Sequence, residues 1–104
     1  MIHELALIEV APENHEAFEA AVKQAVDEVL STAHGFLGFT LTKGVERANT
    51  YALLIRWETL EDHTIGFRES DLFTQWRSRI GGYFATPPAV DHWTDLGSHG
   101  TAAD

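Results

Sequence analysis

The sequence predicts an α+β domain, and three observations lead to this class. Four segments have the composition and alternation of β-strands, two segments repeat their apolar residues at helical spacing, and the order is β-α-β-β-α-β. This order is the split βαβ, or ferredoxin-like, arrangement, a four-stranded antiparallel sheet with both helices on one face. The chain of 104 residues is long enough for one domain. We therefore expect one domain over residues 1–96 and a flexible polar tail over residues 97–104.

The first strand and the first helix are predicted in the N-terminal third. Residues 2–10 are aliphatic and compatible with a β-strand, which Pro12 ends. From Glu13 to about Ala33 the apolar residues recur at helical spacing with charged residues between them, which predicts an amphipathic helix. The apolar positions are Phe18, Val22, Ala25, Val26, Val29 and Leu30. Gly35 follows, where a left-handed C-cap is expected.

Two alternating segments then predict a hairpin. Over residues 36–43 the apolar residues Leu37, Phe39 and Leu41 alternate with small and polar ones. Over residues 50–57 one face is predicted to carry Tyr51, Leu53, Ile55 and Trp57. Only a short polar turn separates the two strands, so we expect them to pair.

The C-terminal half supplies the second helical region and the last strand. Residues 59–62 (TLED) fit a capping box in which aspartate replaces the usual glutamate, and a short helix to about Arg68 should follow. Ser70 can cap a second helical segment, which Gly81 and the next glycine end. Residues 90–96 are the last predicted strand.

Composition excludes several functions. The net charge of −9 argues against nucleic acid and anionic membranes as partners. The absence of cysteine excludes disulfides, thiolate metal sites and a cysteine nucleophile. No signal peptide or membrane-spanning segment is visible, so a cytoplasmic protein is expected.

Residues 57–93 concentrate the candidate chemistry. They contain all three tryptophans, His63 and three of the five arginines. Apolar walls with a few polar groups are what a small-molecule pocket needs. His63 is a candidate general base, because its ordinary pKa lies near neutrality; a solvated or capping histidine is the alternative.

Arginine and aromatic side chains are the other site candidates. Arg77 and Arg79 lie two residues apart on one helix and cannot share a face, so one can point inward to hold an anionic oxygen. The other would face solvent and pair with an acidic side chain. Large rings are the candidate pocket walls, with core packing as the alternative: Trp57, Phe67, Phe73, Trp76, Tyr83 and Phe84.

A metal site is not indicated by the spacing of the six histidines. They show neither HxH nor HxxxH spacing, and the one pair that adjacent strands might bring together is His3 and His92. No G-x-S-x-G elbow and no glycine-rich phosphate loop is present. We expect neither a metal nor a cofactor.

The second half resembles a known family. The strand end Trp57-Glu58, then TLEDH (59–63), FRES (67–70), Phe73, Trp76-Arg77 and YFA before Pro87-Pro88 closely resemble the antibiotic biosynthesis monooxygenase domain. The likeness is strongest from about Tyr51 to Trp93. It implies a homodimeric α+β barrel in which two sheets close on each other, with a pocket in each subunit between sheet and helices.

The resemblance also implies what the site does. The haem-degrading branch needs a histidine where this chain has Arg77 and an asparagine in the first strand, which has none, so haem degradation is disfavoured. In the cofactor-independent branch, a tryptophan ending the third strand and an arginine late in the second helix contribute to the site, and Trp57 and Arg77 match them. His63 stands where an aromatic-substrate member has tyrosine.

Together these observations predict a cofactor-independent monooxygenase that oxidises a small aromatic or quinol-type substrate with O2. His63, Arg77 and Trp57 are the expected catalytic residues, and Phe67, Phe73 and Trp76 are expected to bind substrate. One alternative is a non-enzymatic dimeric module that binds small ligands or is associated with stress. Another is a purely structural dimer, whose filled core would leave no cavity large enough for a ring system.

Overall fold

The computed structural model describes residues 1–100 and confirms the predicted order of strands and helices. The strands are β1 (Ile2–Glu9), β2 (Phe36–Lys43), β3 (Thr50–Trp57) and β4 (Ala89–Thr94). The α-helices are α1 (His15–Glu28) and α2 (Asp71–Ile80). A π-helix spans Asp62–Phe67, and short 3-10 turns cover Pro12–Asn14, Leu30–Thr32 and Gly81–Tyr83. Of the tail predicted over 97–104, residues 101–104 lie outside the described residues.

The four strands form one antiparallel sheet in the order β2-β3-β1-β4. This is the ferredoxin-like order, with β1 and β3 at the centre. Ile2 of β1 lies opposite Trp57 of β3, and Glu4 of β1 lies opposite His92 of β4. The register therefore places the start of β1 beside both the end of β3 and the middle of β4.

One face of the sheet packs against the helices and forms the core. Strand residues of even number in β1 and of odd number in β3 point to this face, because side chains alternate along a strand. The predicted β3 face is confirmed, with each of its members at most 4% exposed: Tyr51, Leu53, Ile55 and Trp57. Helix α1 completes this core with Phe18, Val22 and Ala25, all fully buried.

The other face of the sheet is uncovered and partly apolar. Leu54 of β3 and Trp93 of β4 are 40% and 56% exposed, and Leu5 and Leu7 of β1 lie between them. The sheet is open, with β2 and β4 at its edges. The single chain thus forms an open sheet, and the closed barrel that the resemblance implies is not formed by one chain.

Three sequence predictions are wrong in detail. The first helix ends at Glu28 instead of Ala33, because the backbone of Val29 (φ −124°, ψ −65°) leaves helical geometry and a 3-10 turn follows. Leu37 does not share a face with Phe39 and Leu41, because the register shifts between Phe36 and Gly38 and leaves Leu37 48% exposed. The last strand ends at Thr94, two residues early.

Of three predictions about turns and helix caps, two are confirmed and one is not. Gly35 adopts φ +81°, the left-handed conformation predicted for it, although it follows a 3-10 turn instead of α1. Thr59 and Asp62 form the predicted capping box: Asp62 N–H donates to Thr59 Oγ1 (3.1 Å) and Thr59 N–H donates to Asp62 Oδ2 (3.2 Å). Ser70 occupies the N-cap of α2, but its hydroxyl donates to the Phe67 carbonyl and leaves the helix N–H groups uncapped. No helix in residues 1–100 has the length and apolar character needed to cross a membrane.

Candidate active site

A cavity of about 290 Å³ lies between the helix-side face of the sheet, the π-helix and α2. It is close to the lower end of the range for small-molecule sites. An apolar cavity of about 150 Å³ holds benzene, so this one has room for a bicyclic ring system. The prediction of a filled core without such a cavity is therefore wrong. The lining is largely apolar: Ala6, Ile8, Leu30, Leu53, Ile55, Phe67, Phe73, Trp76, Ile80, Phe84, Pro88 and Val90, with the polar residues Glu4, His63, Arg68 and Arg77.

A buried carboxylate stands at one end of this cavity. Glu4 of β1 is 6% exposed and accepts a hydrogen bond from the indole Nε1–H of Trp57 at 2.9 Å. His63 Nε2 lies 3.3 Å from the same oxygen, Oε1. Both contacts fall on Oε1, and the Glu4 side chain lines the cavity.

The imidazole of His63 is held on three sides. It is 3% exposed and stacks on the Trp57 ring, with centroids 5.2 Å apart and planes at 22°. Its Nδ1 lies 2.7 Å from His92 Nε2 on β4. If Glu4 is ionised, His63 carries its proton on Nε2 and His92 must donate to His63 Nδ1. The 2.7 Å hydrogen bond between the two imidazoles and the 3.3 Å polar contact of His63 with Oε1 then link His92, His63 and Glu4 in that order.

Burial changes the pKa values of Glu4, His63 and His92. Burial raises the pKa of Glu4, although the hydrogen bond from Trp57 and the charge of Arg68 oppose this. Burial, together with the charges of Arg68 and His92, lowers the pKa of His63 to about 4. Burial also lowers the pKa of His92. At neutral pH both imidazoles are uncharged, and the buried carboxyl is a stronger base than an exposed one.

The local sequence explains why His63 points inward. The Thr59–Asp62 capping box starts the turn directly after Trp57, and the π-helix then carries His63 and Phe67 to the same buried side. Residues 63 and 67 are four positions apart and both face the sheet, with ring centroids 6.1 Å apart. The π-helix is not predicted from the sequence, which indicates only a short helix.

The two arginines of α2 separate as predicted. Arg77 lines the cavity, with its guanidinium 5.9 Å from the centroid of Phe73 and 5.6 Å from that of Phe84. Arg79 instead donates to the carboxylate of Glu28 on α1. Arg68, just after the π-helix, is a third arginine at this site, and its charge acts on Glu4, His63 and His92.

The other predicted residues fall into two groups. Phe67, Phe73 and Trp76 line the cavity, whereas Trp57 is fully buried behind Glu4 and His63 and contacts them from outside the cavity. Sequence reasoning missed Glu4 and His92. A charged residue among Ile2, Ala6 and Ile8 on one strand face was the observation that could have revealed Glu4.

The histidines of β1 and β4 do not meet. His3 and His92 point to opposite faces of the sheet, because His3 lies opposite Trp93 and Glu4 lies opposite His92. His3 Nε2 instead contacts Asp95 Oδ2 at 2.6 Å. Within residues 1–100, no group of three or more His, Cys, Asp or Glu side chains is arranged to hold a metal ion.

The sheet order and the cavity between sheet and helices define a ferredoxin-like α+β domain with a cavity of small-molecule size. The sequence profile of the antibiotic biosynthesis monooxygenase family matches residues 1–79. The chain is also 34% identical over 96 residues to the uncharacterised protein YczJ of Bacillus subtilis, covering 92% of this chain and all of YczJ. The chain therefore belongs to the antibiotic biosynthesis monooxygenase family.

Solved structures agree with this assignment. A candidate antibiotic biosynthesis monooxygenase from Bordetella bronchiseptica is 38% identical, with a TM-score of 0.85 over 91% of this chain and 96% of that protein. The Streptomyces coelicolor monooxygenase from ActVA-Orf6, solved in complex with nanaomycin D, has a TM-score of 0.82 at 15% identity, over 97% of this chain and 92% of that one. At that identity the likeness shows the shared fold.

Proposed function

We propose that this chain is a cofactor-independent monooxygenase that oxidises a small aromatic or quinol-type substrate with O2. The observation that carries the proposal is the buried Glu4–His63 pair, which lines a largely apolar cavity of about 290 Å³. Removal of a proton from a phenol or an activated carbon yields an electron-rich anion, which can transfer an electron to O2. In oxygenation of a CH2 group, one oxygen atom enters the product as a carbonyl and the other leaves as water, so no external reductant is needed.

The proposed roles follow from the contacts. Glu4 takes the substrate proton, because its raised pKa brings it nearer to neutrality than an ordinary carboxyl group and its side chain lines the cavity. His63 acts with Glu4 as one base unit: both of its ring nitrogens are occupied, and it orients the carboxylate. Trp57 supports the pair from behind by donating to Glu4. Arg77 binds an anionic oxygen of the substrate, and Phe67, Phe73 and Trp76 form the ring-binding walls.

Oxygen consumption with a panel of naphthoquinols and anthrones tests this function. We expect uptake above the autoxidation rate, and a fall in kcat/KM of roughly 10²- to 10⁴-fold in Glu4→Gln, the range for removal of a general base. His63→Ala should lower kcat/KM as well. His99→Ala is the matched control, because His99 is exposed near the C-terminal end of the described residues and does not line the cavity.

Two results would reject the proposal: no uptake above autoxidation with any member of the panel, or unchanged kcat/KM in Glu4→Gln. If aromatic ligands bind and are recovered unaltered under O2, the non-enzymatic ligand-binding module becomes the better description. Product analysis by mass spectrometry separates these cases, because oxygenation by ¹⁸O2 adds labelled oxygen to the product.

We further propose that two copies pair through the uncovered face of the sheet. Leu54 and Trp93 lie exposed on that face, and the family resemblance implies a homodimer built in this way. Leu54→Glu should then shift the mass measured by light scattering from dimer to monomer, because it would bury a carboxylate in the interface. Val45→Glu is the control: Val45 is 91% exposed and lies on the β2–β3 turn. A wild-type mass equal to one chain at micromolar concentration would contradict the proposal.

A further inference from the structure

Strand β1 runs along the cavity and contributes one residue to each of its ends. Glu4, Ala6 and Ile8 of β1 all line it, because alternate residues of a strand face the same side. At about 3.4 Å per residue, Glu4 and Ile8 lie roughly 13 Å apart along the strand. The Glu4 end carries His63, with Arg68 close enough to act on its charge. This is the end at which the base unit stands.

Arg77 stands at the opposite end. The backbone N–H of Ala85 donates to the carbonyl of Glu9 at 2.8 Å, which ties the segment after α2 to the far end of β1. Phe84 is therefore held next to the Ile8 end. The Arg77 guanidinium lies 5.6 Å from the Phe84 centroid, so its charge is positioned away from Glu4.

The charge of Arg77 is unmatched within residues 1–100. Arg68 acts on Glu4, and Arg79 pairs with Glu28, but none of the ion pairs in this part of the chain includes Arg77. Lys23, Arg47, Arg56 and Arg68 likewise form no ion pair in this part of the chain, so what distinguishes Arg77 is its position against Phe73 and Phe84 at the side of the cavity. A guanidinium held against two phenyl rings at the side of a ligand cavity matches the planar geometry of a carboxylate.

The surroundings of Arg77 also suit a group that keeps part of its hydration. Arg77 and Phe84 line a shallow groove that continues outward past Ala85 and Pro88 to solvent. An anion at this place would be only partly desolvated, so its pairing with Arg77 is not offset by the cost of full burial. The apolar middle of the cavity remains for the rings.

We infer that the cavity selects aromatic ligands that carry a carboxylate at the end remote from the reacting group, and that Arg77 binds this carboxylate. The inference deepens the proposed function and rests on it only for the identity of the reacting end. It names the substrate class as aromatic acids, with the acidic proton at Glu4 and the permanent anion at Arg77.

Two ligands of equal size test the inference without turnover. 2-Naphthoate and 2-naphthamide share the same bicyclic ring and differ in charge, and both can be titrated by calorimetry or by quenching of tryptophan fluorescence. We expect the naphthoate to bind about tenfold more tightly, the lower end for a hydrogen bond to a charged group, because Arg77 is exposed. Arg77→Gln should abolish the preference and leave naphthamide affinity within about twofold, whereas Arg79→Gln should leave both unchanged.

Equal affinities in the wild-type protein, binding of neither ligand, or a preference that survives Arg77→Gln would overturn the inference. If Arg77→Gln also loses naphthamide binding, Arg77→Lys decides: a residual preference for the naphthoate supports the inference, and its absence contradicts it. Because the readout is binding, the outcome is separable from the proposed chemistry. A preference for the naphthoate without any oxygen uptake would reject the monooxygenase and keep the anion site at Arg77. Oxygen uptake without that preference would keep the monooxygenase and reject the anion site.

Discussion

Acidification should destabilise this fold, and His63 should contribute strongly; His92, whose pKa is also lowered by burial, acts in the same direction. In the unfolded chain the pKa of His63 is that of an ordinary histidine, 6.5, whereas in the fold burial, Arg68 and His92 lower the pKa of His63 to about 4. The folded protein therefore binds fewer protons than the unfolded chain between these values, so stability present above pH 6.5 is lost as the pH falls toward 4. At pH 4.5 the loss from this single group is about 2.5 kcal/mol, which is a large part of the 5–15 kcal/mol typical of a domain.

Glu4 has the opposite sign and masks part of this effect. Burial raises the pKa of Glu4, so its contribution to stability is present at low pH and is lost as the pH rises through its folded value. Glu4→Gln removes this compensation, so the variant should lose more stability on acidification than the wild-type protein does. The direction of that difference distinguishes a raised pKa of Glu4 from a lowered one.

Urea unfolding at pH 7 and at pH 4.5 measures these effects. The wild-type protein should lose more stability than His63→Gln, by up to about 2.5 kcal/mol. His99→Gln should behave as the wild type, because His99 is exposed. Equal acid-induced losses in the wild type and His63→Gln would refute the reasoning. So would an NMR titration in which the His63 ring changes charge near pH 6.5.

Two further substitutions test the supports of the site. Trp57→Phe removes the indole donor to Glu4 and should cost about 1–3 kcal/mol of unfolding free energy, measured in urea. Because that hydrogen bond lowers the pKa of Glu4, this pKa should rise in the variant. The rise should be visible as an upward shift of the acid limb of kcat/KM. Gly35→Ala should cost at least about 1–2 kcal/mol, because Gly35 has φ +81° and an added Cβ would collide with the Asp62 carboxylate; Gly82→Ala is its control, since an added Cβ there meets nothing within 4 Å.

The fold could be predicted from the sequence because its information is local. The alternation of β3 and the capping box at Thr59 and Asp62 each depend on residues within a few positions of one another, and both are confirmed. The errors arise where a distant neighbour decides the geometry. Leu37 turns outward because of a register shift against β3, and no pattern within β2 encodes that shift.

The candidate site could be predicted only in part, for the same reason. His63 was predicted because an imidazole stands out in a short aromatic segment, and Arg77 was preferred to Arg79 because of the family resemblance. Glu4 and His92 are 59 and 29 positions away from His63, and only the pairing of β1 with β3 and β4 brings them to it. The contacts that define the base unit are thus a property of the sheet register.

The alternation of side chains along β1 separates selection for the length of a ligand from recognition of its two ends. Glu4 and Ile8 mark the ends of the cavity, and Ala6 is the small residue between them. A larger residue in place of Ala6 would fill the middle of the cavity, between Glu4 and Ile8, and so shorten the space for a ligand. A family built on this strand can therefore change the length of the molecule it accepts by one substitution while keeping the groups that recognise its two ends.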